Sequence, residues 1–227
     1  MHRLQMFKTY QLKRALAIII GILALDQIFK IWVKTHMYLG QEFEITPWFF
    51  IHFTENNGMA FGMEFGGSYG KLFLSLFRIV FVGGMIWYLR KSVREQASML
   101  FVTVLSLIIA GAIGNIIDSV LYGFLFSSSE YGLVAELLPA NGGYATLLHG
   151  KVVDMLYFPL FDGFFPEWFP FWGGEYFQFF RPVFNLADAS ISCGVFLWIL
   201  FQHKMMPPDA SKSSEGEASD STTSAVV

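Results

Sequence analysis

Four stretches of this chain are long and apolar enough to cross a lipid bilayer, and they leave few folds open: residues 15–33, 71–89, 99–121 and 183–201. Nineteen residues rising ~1.5 Å each cover roughly 28 Å, against a hydrocarbon core of about 30 Å. Only helices or closed barrels satisfy a backbone in lipid, and runs of this length specify helices. Composition agrees. Of 227 residues, 54% are hydrophobic, 18% aromatic and only 15% charged, too few charges for an ordinary soluble domain. The net charge of −3 suggests no nucleic-acid partner. Cys193 is the single cysteine, so an intrachain disulfide and a cysteine-built metal cluster are excluded; within an apolar run it reads as a small packed residue.

The basic residues orient the spans. Arg3, Lys8, Lys13 and Arg14 precede the first, Arg90, Lys91 and Arg94 fill the link between the second and third, and Lys204 follows the fourth. The segments on the other side, 35–70 and 122–182, are long and dominated by acids such as Glu42, Glu44, Glu55, Glu64, Glu130 and Glu136. The positive-inside rule then puts both termini in the cytoplasm and both long loops outside. The first span is too long for a signal-peptide core and has no small-residue cleavage site, so it is expected to stay as a helix.

The outer loops carry structure of their own. Residues 43–53 mix aromatic and β-branched residues around Pro47, which predicts short strands at or above the outer interface. Residues 157–182 are dense in Phe, Trp, Pro and Gly, a composition suited to the headgroup level. The expected fold is therefore an all-α membrane protein, a four-transmembrane-helix bundle with a small periplasmic β/aromatic cap. One membrane domain, 1–206, includes the loops 35–70 and 122–182; residues 207–227, rich in Ser, Asp, Glu and Ala, read as a disordered cytoplasmic tail.

Polar residues cluster at one depth. Asp26 and Lys30 stand four apart near the outer end of the first span, a spacing that suits an ion pair and, alone, a structural one. Asn115 and Asp118 stand three apart at the outer end of the third span, and Asn185 and Asp188 repeat that spacing at the start of the fourth. Polar residues in lipid are costly and commonly functional. Gly111 and Gly114 predict close helix packing beside the cluster, and Gly83-Gly84 suggest the same in the second span. Arg78, in mid-span, is expected to face the bundle or a wet cavity.

Elimination narrows the chemistry. No Ser-His-Asp set lies at membrane depth, and His149 has neither a partnering nucleophile nor a second His at ligand spacing, so no metal or cofactor is expected. Two aspartates remain: Asp154, closing Gly150-Lys151-Val152-Val153-Asp154, and Asp188, closing Phe184-Asn185-Leu186-Ala187-Asp188. Two carboxyls brought together share one proton; the ionised member activates water while the protonated one polarises a carbonyl and later donates to a leaving amine. A small ion or proton carrier using the same acids as a relay is the alternative from another class. It predicts carboxylates at several depths and half-chain symmetry, neither of which the sequence has.

Five blocks resemble those of the type II signal peptidases, the lipoprotein signal peptidases of bacterial inner membranes. They are Asp26-Gln27-Ile28-Phe29-Lys30, Asn56-Asn57-Gly58-Met59-Ala60-Phe61, Gly111-Ala112-Ile113-Gly114-Asn115-Ile116-Ile117-Asp118, and the two runs ending in Asp154 and Asp188. They occur in family order and run from residue 26 to residue 188, a stretch that covers all four spans. The resemblance implies an aspartic endopeptidase that cuts diacylglyceryl-modified prolipoproteins immediately before the lipidated cysteine. Asp154 and Asp188 fall on its catalytic positions. Asn56, Gly58, Asn115, Asp118, Asn185, Asp26 and Lys30 fall on substrate-binding or supporting ones. It also implies inhibition by cyclic depsipeptides of the globomycin kind, a monomer working among membrane lipids, and a multi-pass place in the bacterial inner membrane with the site near the periplasmic face.

The chain departs from the family pattern at three points. Met59 replaces the commoner Ala, Ser119 stands where many members carry Arg, and the outer segments 122–149 and 157–182 are longer than a minimal member needs. Asn57-Gly58 is in addition a turn signal in its own right.

Overall fold

The computed structural model describes residues 2–58, 67–179 and 181–205. Met59, Glu64 and the expected tail 207–227 lie outside the described residues. Among the described residues, four helices are long and apolar enough to cross a membrane. They are α1 (His2–His36), α2 (Gly67–Arg94), α3 (Met99–Ile117) and α5 (Leu186–Met205); a short α4 (Gly123–Leu125) follows α3. α3 is the central helix, with 44% of its apolar window buried against 17% for each of the others. The side chains left bare, among them Ile20, Ile28, Phe73, Val80 and Phe196, are lipid-facing in a spanning bundle. Ser98 starts α3 by accepting the amide of Phe101 at 3.2 Å, a helix-capping contact.

Small residues let α3 and α5 touch. A Cβ on Gly111 would strike the carbonyl of Ala187, and one on Gly194 would meet Ile108 at 2.7 Å; Ser190 donates to the carbonyl of Leu107 at 2.8 Å. The expected close packing around Gly111 and Gly114 is therefore present. Gly83 and Gly84 do not behave that way: nothing lies within 4 Å of a Cβ at either position, and Gly83 lines a cavity between α1 and α2. Cys193 likewise is exposed on α5, because the packed face of that helix is the one carrying Ala187, Ser190 and Gly194.

Beyond the outer ends of the helices stands a four-stranded antiparallel sheet in the order β1 (Glu42–Thr46), β2 (Phe49–Asn56), β3 (Val152–Tyr157), β6 (Val183–Phe184). The two strands expected around Pro47 are β1 and β2, joined by a turn at Pro47 and Trp48. Ile51 and Phe53 of β2 and Val153 and Met155 of β3 pack on Val33 of α1 and Met37 just past its end, with Tyr122 and Phe126; this core fixes the sheet to the bundle. A hairpin of β4 (Phe161–Phe164) and β5 (Tyr176–Phe179) makes the aromatic part of the cap. Phe161 and Phe179 stack at 4.5 Å, Gln178 donates to the Tyr157 hydroxyl at 2.8 Å, and Trp168 and Phe171 at the tip are 79% and 94% exposed.

Two span boundaries differ from the sequence expectation. Val183 and Phe184 leave the fourth span to pair with Tyr157 and Leu156, and α3 passes at Asp118 into one wide turn, Asp118–Tyr122, of π-helical geometry. Such a turn often marks a functional site. Here it buries Asp118, Ser119 and Tyr122 together.

Candidate active site

Sheet pairing brings Asp154 and Asp188 together. Thr54 stands opposite Asp154 across β2 and β3, so Asn56, two residues along, projects from the same face at the diagonal position. β6 pairs with β3 on the other side and delivers the chain to α5. Asn185, between β6 and α5, caps the helix: its side-chain oxygen accepts the amide of Asp188 at 2.8 Å, while the Asp188 carboxylate faces the Asn185 amide at 3.4 Å. The geometry is that of a capping box whose second contact is long.

Three asparagines then hold the two carboxylates. Asp154 accepts from Asn185 Nδ2 on one oxygen at 2.6 Å and from Asn56 Nδ2 on the other at 2.5 Å. Asp188 accepts from Asn115 Nδ2 at 2.7 Å. Asn185 Nδ2 also reaches Asn115 Oδ1 at 3.1 Å, which closes the chain of amides between the aspartates. The carboxylates differ in setting. Asp154 is 4% exposed; Asp188 is only partly buried, in the first turn of α5. Burial, with the charge of Asp188 beside it, pushes the Asp154 carboxyl up to about 7.

Beneath the pair lies a buried ionic cluster. Lys30 Nζ contacts Asp26 at 3.0 Å, Asp118 at 2.8 Å and Asn115 Oδ1 at 2.9 Å, using all three of its donors. Lys30 and Asp118 have no exposed surface and Asp26 has 1%. Asp26 Oδ1 also accepts the amide of Ala187 at 2.9 Å, and Asp118 Oδ2 that of Val153 at 3.2 Å. Gln27 completes the cluster, donating to Asp26 and Asp118 and accepting from the Tyr122 hydroxyl. Asp26–Lys30 is thus an ion pair, as the spacing suggested, with Asp118 as a third member.

Asn56 and Gly58 make both the turn and the site contact. Asn56 Oδ1 accepts the amide of Gly58 at 2.6 Å while its amide group holds Asp154, and Gly58 has φ +82°, a conformation cheap only for glycine. Arg78 donates to the Gly58 carbonyl, and its charge is near enough to Asp188 for Coulombic interaction. It faces the bundle interior, as its depth required. Ser119 is buried and bonds back to the carbonyl of Asn115 at 3.0 Å. Lys151 points away, 3.8 Å from Glu55, and His149 bonds only to neighbours, Thr146 and Leu147.

Sequence reasoning missed a second buried ion pair. Lys34, wholly buried, is paired with Glu55 and donates to Ser129 Oγ at 2.8 Å, with the rings of Phe126 and Tyr144 at 5.3 and 5.1 Å. Its sequence signal is plain afterwards: Lys34 lies four residues after Lys30 and eight after Asp26, on one helix face. Glu55 immediately precedes Asn56, so this pair anchors the strand that holds Asp154.

Four spanning helices with two aspartates, their asparagine partners and an ionic cluster gathered at one end describe an integral membrane protein with a carboxylate-centred site. Residues 18–204 match the family described as Signal peptidase (SPase) II, and the chain belongs to that family. Membership makes it a membrane peptidase of the aspartic type and removes the ground for the carrier alternative. It is 58% identical over 185 residues to a lipoprotein signal peptidase of Porphyromonas gingivalis, covering 81% of this chain and 80% of that one. It is 36% identical over 201 residues to one of Amoebophilus asiaticus, covering 87% and 80%. A bacterial membrane enzyme solved by the in meso method at 2.3 Å resolution superposes with a TM-score of 0.58 at 25% identity, covering 85% of this chain and 88% of that one.

Proposed function

We propose that this chain removes the signal peptide from diacylglyceryl-modified prolipoproteins, cutting before the lipidated cysteine, with Asp154 and Asp188 as the catalytic pair. The observation that carries the reading is that three linked asparagines hold the two carboxyls at one place, Asp154 buried with its carboxyl pushed up to about 7 and Asp188 more exposed in the first turn of α5. Asp188 takes a proton from water as the resulting hydroxide attacks the scissile carbonyl carbon. Protonated Asp154 donates a hydrogen bond to the carbonyl oxygen, whose developing charge it stabilises. As the carbonyl re-forms and the C–N bond breaks, Asp154 gives its proton to the leaving amine, and the proton that Asp188 took from water then passes to Asp154, restoring the pair.

Asn56, Asn115 and Asn185 orient the pair through the bonds described, and Asp26, Lys30 and Asp118 hold the backbone beneath. Gly58 supplies the positive-φ residue whose amide the Asn56 side chain accepts. Positive-inside logic supports cytoplasmic termini and a site near the periplasmic face of the inner membrane: Lys8, Arg90 and Arg94 lie at the end of the bundle opposite the carboxylates. Residues 1–206 form the working unit, a monomer, and 207–227 a cytoplasmic tail. Cyclic depsipeptides of the globomycin kind act as inhibitors in this reading.

The test is a gel-shift cleavage assay on a lipidated precursor and its unmodified counterpart. The lipidated precursor alone should be cut, and Asp154→Asn and Asp188→Asn should each abolish cleavage while the protein remains folded. Normal turnover by either folded variant, or equal cleavage of both precursors, rejects the assignment.

A further inference from the structure

The end of the bundle away from the carboxylates carries a second feature that the peptidase reading leaves unused. Between the N-terminal part of α1 and the C-terminal part of α2 is a cavity of about 600 Å³, within the usual ~300–1,000 Å³ of small-molecule sites. Its lining combines the apolar Leu12, Ile86, Trp87 and Val93 with Gly83, Thr9 and three cations, Lys8, Arg90 and Arg94. Gly83, Trp87, Arg90 and Arg94 recur at helical spacing on one face of α2. The missing side chain at Gly83, with nothing within 4 Å of a Cβ there, hollows the groove. Lys8 lies eighteen residues before Asp26, ~27 Å along the helix, so the cavity and the carboxylate site are separate.

The charge pattern selects the occupant. The three cations line one cavity that no acidic residue lines, and among the described residues none of them makes a hydrogen bond or ion pair. The nearest acid in sequence, Glu95, is 3.9 Å from Lys91, itself over the Trp87 ring at 5.7 Å. Cations and apolar side chains lining one cavity between two spanning helices fit a group that is anionic at one end and apolar at the other. Basic pockets between transmembrane helices are suited to anionic lipid head groups.

We propose that this cavity is a binding site for one anionic phospholipid, its phosphate held by Lys8, Arg90 and Arg94 and the first methylenes of an acyl chain lying over Gly83, Ile86 and Trp87. By the orientation proposed above, the lipid belongs to the cytoplasmic leaflet. The site itself does not depend on that orientation or on the peptidase mechanism.

Native mass spectrometry of the full chain, released from nanodiscs of equimolar phosphatidylglycerol and phosphatidylcholine with matched acyl chains, tests it. One phosphatidylglycerol per chain should be retained in preference to phosphatidylcholine, on the order of tenfold. Lys8→Gln/Arg90→Gln/Arg94→Gln should bring the two lipids to parity, whereas Arg3→Gln/Lys13→Gln/Arg14→Gln, which removes the same charge elsewhere, should keep the preference. Gly83→Leu fills the groove without touching a charge and should also abolish retention, so the proposal remains testable if the triple variant fails to fold. Equal retention of both lipids by the unaltered chain overturns it. So does loss of preference in the control variant, which means diffuse surface charge, or displacement of the lipid by millimolar inorganic phosphate, which means a free-phosphate site. Cleavage activity is read separately in detergent, so failure of the catalytic assignment leaves this result unaffected.

Discussion

Asp26 accepts the backbone amide of Ala187 at 2.9 Å, one residue before Asp188. Asp118 does the same for Val153, one residue before Asp154, at 3.2 Å. Lys30 holds both acceptors. One ammonium group thus ties together the two arms of backbone that present the candidate catalytic carboxylates. Lys30→Met should leave two buried carboxylates facing each other without a cation. Removing one partner of a buried pair costs about 3–5 kcal/mol, so the unfolding temperature in detergent should fall sharply and turnover with it. An unchanged unfolding temperature would show that the cluster does not hold the arms.

The position of Asp154 predicts a pH dependence. Turnover should decline as pH rises through about 7, where the buried carboxyl loses its proton, and the plot of kcat against pH should show that alkaline limb. Stability should follow the same group. Its folded value is raised from 3.8 to about 7, so the folded state binds the proton more tightly. That contribution is complete below about pH 4 and is lost as pH rises through about 7. Thermal unfolding followed from pH 5 to pH 8, as ~1-unit steps across the window, should therefore shift downward in the unaltered protein. Asp154→Asn should flatten the slope; an equal slope in that variant rules out Asp154 as its source.

Lys34 and Glu55 should behave as one unit. Glu55→Gln leaves a buried ammonium without its carboxylate and should destabilise the protein by about 3–5 kcal/mol. Lys34→Met added to it should restore most of that loss, a coupling read from a double-mutant cycle of unfolding temperatures. Because Glu55 precedes Asn56, the single variant should also lower kcat. Additive effects of the two substitutions would mean that the pair does not act as a unit.

The aromatic hairpin offers rings that meet only adjacent residues among the ring contacts of the described residues, Trp168 with Phe169 and Phe171 with Trp172. Trp168 and Phe171 are mostly exposed, so Trp168→Ala/Phe171→Ala should leave the unfolding temperature within about 1 °C, as surface changes generally do. If these rings grip the lipid or peptide of the substrate, kcat/KM on a lipidated precursor should fall several-fold through KM. Unchanged kinetics would make the hairpin a mere elaboration.

The spans were legible because hydropathy over nineteen residues has few alternatives, and the polar cluster because carboxylates and amides at membrane depth demand partners. The strands at Pro47 were legible from β-branched and aromatic residues. What could not be read was pairing over long separations. Nothing local says that Val183 and Phe184 leave the fourth span to join β3, or that Lys34 meets Glu55 and Ser129 across 21 and 95 residues. The open space at Gly83 and Gly84 escapes the sequence for the same reason: small residues permit close approach, but the neighbouring helix decides whether it happens.

The pairing of β6 with β3 separates the length of the chain between Tyr157 and Val183 from the geometry at its ends. These two residues are partnered across the sheet, so the excursion starts and finishes at one fixed seam. Whatever is spliced into it, a shorter turn, a longer hairpin or a reporter domain, enters and leaves through the same doorway, and the two aspartates on either side need not register the change.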